Sequence, residues 1–99
     1  MSESETQRTI VEYLRAAGWF VRVFSQSKRT QRQLSDWPDV VAVKWDHVLL
    51  IESKSETGKR SPGQVKFALA LAEHTGAHVK YVVARSLDDV INMVESTVT

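Results

Sequence analysis

The spacing of apolar residues changes along the chain, and each change marks an element. Glu3, Gln7, Ile10 and Leu14 fall at helical intervals on one face, predicting a first helix that runs to about Ala17. Ser2 with Glu5, and Ser4 with Gln7, both have capping-box spacing, and Gly18 supplies the stop. Trp19-Phe20-Val21-Arg22-Val23-Phe24 is aromatic and β-branched and reads as a strand. Ser25 to Trp37 is polar and basic without a period, as expected of a long loop. From about Val40 to Lys54, two short apolar runs flank a polar turn and predict a hairpin. A polar connection containing Gly58 leads to Ser61-Pro62-Gly63-Gln64, a second capping signal with proline at the first helical position. The helix it opens is apolar over much of its circumference through Val65, Phe67, Ala68, Leu69, Leu71 and Ala72, and stops at Gly76. Val79 to Ala84 is a fourth strand, and Ser86-Leu87-Asp88-Asp89 starts a last helix carrying Val90, Ile91, Met93 and Val94.

The predicted order is α-β-β-β-α-β-α within one domain, residues 1–99, without repeats or a linker. A helical crossover between the third and fourth strands makes them parallel, so the sheet is mixed. Val41, Val43, Val48 and Leu50 alternate with Val40, Ala42, Leu49 and Ile51, which gives the hairpin two apolar faces. Such a pair belongs in the middle of a sheet covered by helices.

Composition narrows the picture only slightly. With 42% apolar and 25% charged residues the chain is an ordinary globular domain, and no apolar run approaches the ~20 residues of a membrane span. The acidic start argues against a secretory signal. The absence of cysteine excludes disulfides and thiolate chemistry, so an intracellular, cytoplasmic setting is expected. Thirteen basic residues against twelve acidic ones leave a net charge of +1, so any affinity for nucleic acid must come from locally gathered charge.

Candidate chemistry concentrates at the open end of the hairpin. An even-membered turn centred on Trp45-Asp46 pairs Lys44 with His47 and Val43 with Val48, and carried outward it sets Asp39 across from Glu52. Alternation then projects Glu52 and Lys54 on the same side, beside Asp39. Opposed carboxylates, ~5 Å apart at Cβ, repel unless a cation lies between them. Their hard oxygens suit Mg²⁺ or Mn²⁺ rather than zinc, and Lys54 can orient a water or stabilise developing negative charge. The arrangement suits phosphodiester hydrolysis. The bland alternative is an exposed strand end with an incidental Glu-Lys pair and a turn-initiating Pro-Asp.

Pro38-Asp39, Glu52-Ser53-Lys54 and Ser61-Pro62-x-Gln64 resemble the PD-(D/E)XK nuclease superfamily, most closely its VRR-NUC branch, over nearly the whole chain. The resemblance implies a restriction-endonuclease-like α/β core with a central mixed sheet flanked by helices. It also implies that Asp39 and Glu52 bind the metal, that the Ser53 carbonyl adds a ligand, that Lys54 is catalytic, and that Gln64 lies near the site. Stand-alone relatives of this size resemble bacterial or phage proteins acting as homodimers on branched DNA, Holliday junctions among them. Members usually add an acid from the first helix. Glu3 shares its face with Gln7, Ile10 and Leu14, whereas Glu12 lies opposite with Arg8 and Arg15, so Glu3 is preferred, with Gln7 lining the site. The competing reading of Glu3 is a terminal residue that complements the helix dipole.

For DNA contact, Lys28, Arg29 and Arg32 lie in a loop segment without acids, and Lys59 and Arg60 follow the catalytic strand. Both groups can clamp phosphates, or can simply be solvated. Trp37 and Trp45 suit packing or a dimer surface better than base stacking. His74 and His78 are separated by Gly76, which breaks the helix that would align them for zinc. Neither a phosphate-cradling glycine loop nor a nucleophilic serine arrangement is present, so no nucleotide cofactor is expected. The leading expectation is a Mg²⁺- or Mn²⁺-dependent endonuclease for branched DNA. The alternatives are an inactive DNA-binding module of the same fold and a nuclease for flaps, nicks or duplex.

Overall fold

The computed structural model of the chain describes residues 2–24 and 37–98. Helix α1 (Glu3–Ala16) uses the first of the two predicted caps: the Ser2 hydroxyl accepts from the Glu5 amide, and the Glu5 carboxylate accepts from the Ser2 amide, both at 3.2 Å. It ends where the chain passes through Gly18 at φ +90°, a conformation that favours glycine. Strands β1 (Phe20–Val23), β2 (Val40–Lys44), β3 (His47–Ser53) and β4 (Val79–Ala84) form one sheet in the order β1-β2-β3-β4. The first two pairings are antiparallel and the third is parallel, joined by a crossover through helix α2 (Pro62–Leu71) and a single 3₁₀ turn, Ala72–His74. Helix α3 (Leu87–Val98) closes the chain. The fold is therefore a mixed four-stranded sheet with flanking helices, in the element order that the apolar spacing predicts.

The central hairpin pairs as expected, from Lys44↔His47 through Val43↔Val48 to Val40↔Ile51. Its two-residue turn has φ +56° at Trp45, and among the described residues no other non-glycine has a positive φ. Positive φ at the first central position alone is the II′ pattern, whose backbone twist matches that of the strands it joins.

Packing is lopsided. On one face Val40, Ala42, Leu49 and Ile51 are fully buried in a cluster with Ile10, Val11 and Leu14 of α1 and Val90 and Val94 of α3. On the other face Val41, Val43, Val48 and Leu50 are only half-buried. Helix α2 contributes no buried residue, and its Val65 and Leu69 are 41% and 71% exposed. The expectation of a hairpin covered on both sides is thus met fully on one side only. A ten-residue helix that is apolar all round cannot turn every apolar group toward one sheet.

Candidate active site

Asp39 and Glu52 both lie at the end of the hairpin opposite the turn: Asp39 directly precedes, and Glu52 directly follows, the last β2–β3 pair, Val40↔Ile51. The Phe24 amide donates to the Asp39 carbonyl at 3.0 Å, which fixes the Asp39 backbone between β1 and β3. Its side chain is held from two directions. Oδ1 accepts the Ser53 amide at 2.7 Å, and Oδ2 accepts Nε2 of Gln7 at 2.7 Å. The Asp39 carboxylate therefore lies against the Glu52–Ser53 peptide, and α1, β2 and β3 converge on it.

Glu52 is 2% exposed, and its two oxygens differ. Oε2 accepts Nε of Arg60 at 3.2 Å and the Tyr81 hydroxyl at 3.1 Å. Oε1 is buried and has no hydrogen-bond partner among the described residues. Arg60 also donates through Nη2 to the Tyr81 oxygen at 3.1 Å and to the Gln64 carbonyl at 3.4 Å. Burial, and then the Glu52 charge, push the Tyr81 hydroxyl above its ordinary pKa, with Arg60 opposing. Tyr81 consequently stays protonated and donates to Glu52.

The other predicted residues are placed unequally. Lys54 anchors its amide to the Ala84 carbonyl at 2.9 Å, while its half-buried side chain makes no hydrogen bond or ion pair among the described residues. Glu3 opens, with Ser2, Ser4, Gln7 and Asp39, onto a cleft of about 450 Å³, which Glu12 does not line. Gln64 uses its carboxamide oxygen on the α2 cap, where Oε1 accepts the Ser61 amide at 2.9 Å, and among the described residues it is linked to Glu52 through its carbonyl and Arg60. Lys59 is exposed. Arg60 is turned inward onto Glu52 rather than outward as a free phosphate contact, because a buried carboxylate left unpaired is costly. Lys28, Arg29 and Arg32 lie outside the described residues. Trp37 packs on Phe67 with ring centroids 5.4 Å apart, and Trp45 is 80% exposed.

Tyr81 escapes sequence reasoning. It lies opposite Leu50 in the parallel pairing, two residues from the Glu52 partner Val83, and so shares the Glu52 face. That relation requires the crossover register. Arg60 is expected, with Lys59, as a phosphate contact; its place directly before a helix cap, eight residues beyond Glu52, is the only sequence signal for its inward role.

The donor set suits a hard divalent cation. Asp39 and Glu52 supply carboxylate oxygens, and Glu52 Oε1, without a partner among the described residues, is the kind of buried group that a cation would satisfy. The sheet order, the opposed acids and the lysine two residues beyond Glu52 are those of a PD-(D/E)XK-type nuclease. The family description of archaeal Holliday junction resolvases (Hjc) matches residues 2–91, and the chain belongs to that family. Among solved structures it is similar to a VRR_NUC domain, at 23% identity and TM-score 0.67 over 96% of this chain and 97% of that one. It is also similar to a VRR_NUC domain protein, at 20% identity and TM-score 0.66 over 96% and 86% of the two chains. These two likenesses show the fold. No curated protein matches the chain. The protein is thus a nuclease of a DNA-binding family.

Proposed function

We propose that this nuclease is a Mg²⁺- or Mn²⁺-dependent endonuclease that hydrolyses phosphodiester bonds in branched DNA, four-way junctions included, as a homodimer. One observation carries the reading: Asp39 is seated on the Glu52–Ser53 peptide while the buried Oε1 of Glu52 has no partner among the described residues. Asp39, Glu52 and the Ser53 carbonyl would hold the cation, which when bound supplies an acidified water and neutralises phosphate charge. The chain's own residues do the rest. Gln7 and the Ser53 amide keep the Asp39 carboxylate from rotating, and Arg60 with Tyr81 fixes Glu52 through Oε2, leaving Oε1 for a ligand. The ammonium of Lys54, unengaged among the described residues and two positions beyond Glu52, stabilises negative charge as it develops on the phosphate. Glu3 shares a cleft with Asp39 and would add a third acid from that side.

Branch preference and dimerisation go together physically. A single small domain offers one such centre, whereas symmetric incision of a junction needs two. The exposed apolar side of α2 supports a partner surface.

The test is cleavage of a labelled four-way junction in Mg²⁺ or Mn²⁺, beside flap, nicked and plain duplex DNA. The junction is expected to be cut fastest, and Asp39→Asn or Glu52→Gln is expected to slow cutting on the order of 10³-fold with the fold intact by circular dichroism. Junction cutting that survives either substitution refutes the site. Equal rates on plain duplex refute the branch preference, and binding without turnover in either metal leaves only a DNA-binding module.

A further inference from the structure

A second group of donors stands at the other end of the hairpin. Asp46 lies in the turn, His47 opens β3, and His78 immediately precedes β4. Each Asp46 oxygen faces a different imidazole: Oδ2 is 3.1 Å from Nδ1 of His78, and Oδ1 is 3.6 Å from Nε2 of His47. The two rings have centroids 5.3 Å apart, and one donor atom from each residue lies within 4.8 Å of the others. His47 presents Nε2 to this group, while its Nδ1 is buried without a partner among the described residues.

We infer that Asp46, His47 and His78 form a binding site for a divalent transition-metal ion of the Zn²⁺ type. Two imidazole nitrogens and one carboxylate are the donor set that Zn²⁺ takes, and a water completes four-coordination. A plain hydrogen-bonded relay accounts for the 3.1 Å contact but not for the other, because 3.6 Å exceeds hydrogen-bond range. An ion between the three atoms engages all of them. Tetrahedral zinc with bonds of roughly 2.0–2.2 Å needs donors about 3.4 Å apart, so the group must contract by roughly 1 Å. Asp46 and His78 are 70% and 61% exposed in their side chains and can make that adjustment by rotation, while the less exposed His47 serves as the fixed ligand. The backbone beneath is already set: the Val48 amide donates to the His78 carbonyl at 2.7 Å, which holds the two histidine-bearing segments side by side. The Lys44 ammonium, next to the turn, is bound by the Ala17 carbonyl at 2.7 Å and lies 5.2 Å from the Trp45 ring centroid.

This site is separate from the nuclease centre. The length of β2, five residues or about 17 Å, separates the turn from Asp39. The site also differs in kind, with imidazole nitrogens where the other has hard oxygens alone. Its consequence is a clamp between the hairpin tip and the start of β4.

Calorimetric titration of ZnCl₂ into the full chain tests the inference. The protein carries Asp39→Asn and Glu52→Gln, so that the nuclease acids cannot contribute. One saturable equivalent is expected, undisturbed by excess Mg²⁺, together with a zinc-dependent rise in melting temperature. His78→Ala, at an exposed position that leaves the core untouched, is expected to weaken binding at least about tenfold and to abolish that rise, whereas His74→Ala changes neither. Co²⁺ in place of zinc should give the absorption bands of a nitrogen-ligated tetrahedral ion, and His78→Ala should remove them. Unaltered zinc affinity in His78→Ala, displacement by Mg²⁺, or no saturable binding overturns the site.

Discussion

Arg60 is bound to Glu52, whereas Lys54 follows Glu52 by two residues, and their partners suggest opposite tasks. The Arg60 guanidinium is engaged by Glu52, Tyr81 and the Gln64 carbonyl, whereas the Lys54 ammonium is unengaged among the described residues. A free charge on the Glu52 side of the strand can act in the transition state, and a committed one positions its partner. Lys54→Met is therefore expected to lower the single-turnover cleavage rate about 10²-fold or more while leaving junction affinity in EDTA nearly unchanged. A parallel loss of affinity would show that Lys54 merely binds DNA. Arg60→Ala removes one partner of a pair whose carboxylate is buried and whose guanidinium is about a quarter exposed. The expected cost is ~2 kcal/mol in EDTA, below the 3–5 kcal/mol of a fully buried pair, and it should shrink when Mg²⁺ supplies another cation for Glu52. Urea unfolding with and without Mg²⁺ measures this, and an equal cost in both conditions would count against cation binding at Glu52.

Capping makes a parallel comparison between helices α1 and α2. Both begin with a complete capping box, at Ser2 and at Ser61, and both were readable from the Ser-x-x-Glu/Gln spacing. Their packing differs: α1 buries Thr6, Ile10, Val11 and Leu14, while α2 buries nothing. Ser2→Ala should therefore lower global stability by about 1 kcal/mol. Ser61→Ala should instead show as faster amide exchange confined to residues 62–71, with little change in the melting temperature. The reverse pattern would mean that α2 is held by more than its cap. The hairpin teaches a related lesson. Its register was legible because period-two alternation on both strands leaves few alternatives, yet the turn chemistry was not. Trp45 takes a conformation normally left to glycine, and the pairing on either side holds it there.

Considered as one molecule, the protein buries one face of its sheet well and leaves apolar surface around α2. Leu69, at 71% exposure, and Val65, at 41%, lie on a helix that also carries the Arg60–Gln64 contact at its start. A second copy covering this surface would set two nuclease centres in a symmetric relation. Leu69→Glu is expected to convert a dimer to a monomer in sedimentation equilibrium and to suppress paired incision of a junction while sparing single nicks. A wild-type chain that is monomeric at micromolar concentration would remove this explanation of the exposed helix. Net charge does not decide DNA binding here, because +1 is nearly neutral. Any attraction to phosphates has to come from locally gathered charge.

Local pattern specified much of this protein. Apolar spacing set the seven elements and the hairpin register, and that register brings the Asp39 carboxylate to the Ser53 amide next to Glu52, because a two-fold side-chain period ties every pairing to the turn. Helical period likewise joined Glu3 and Gln7 on the face that opens onto Asp39. Other relations depend on how distant segments are laid beside one another. Tyr81 reaches Glu52 only after the α2 crossover has chosen a parallel register, and Arg60 turns inward only because it finds a buried carboxylate there. His78 meets Asp46 and His47 for the same reason: contacts across a crossover are set by packing geometry, which no spacing along the chain encodes.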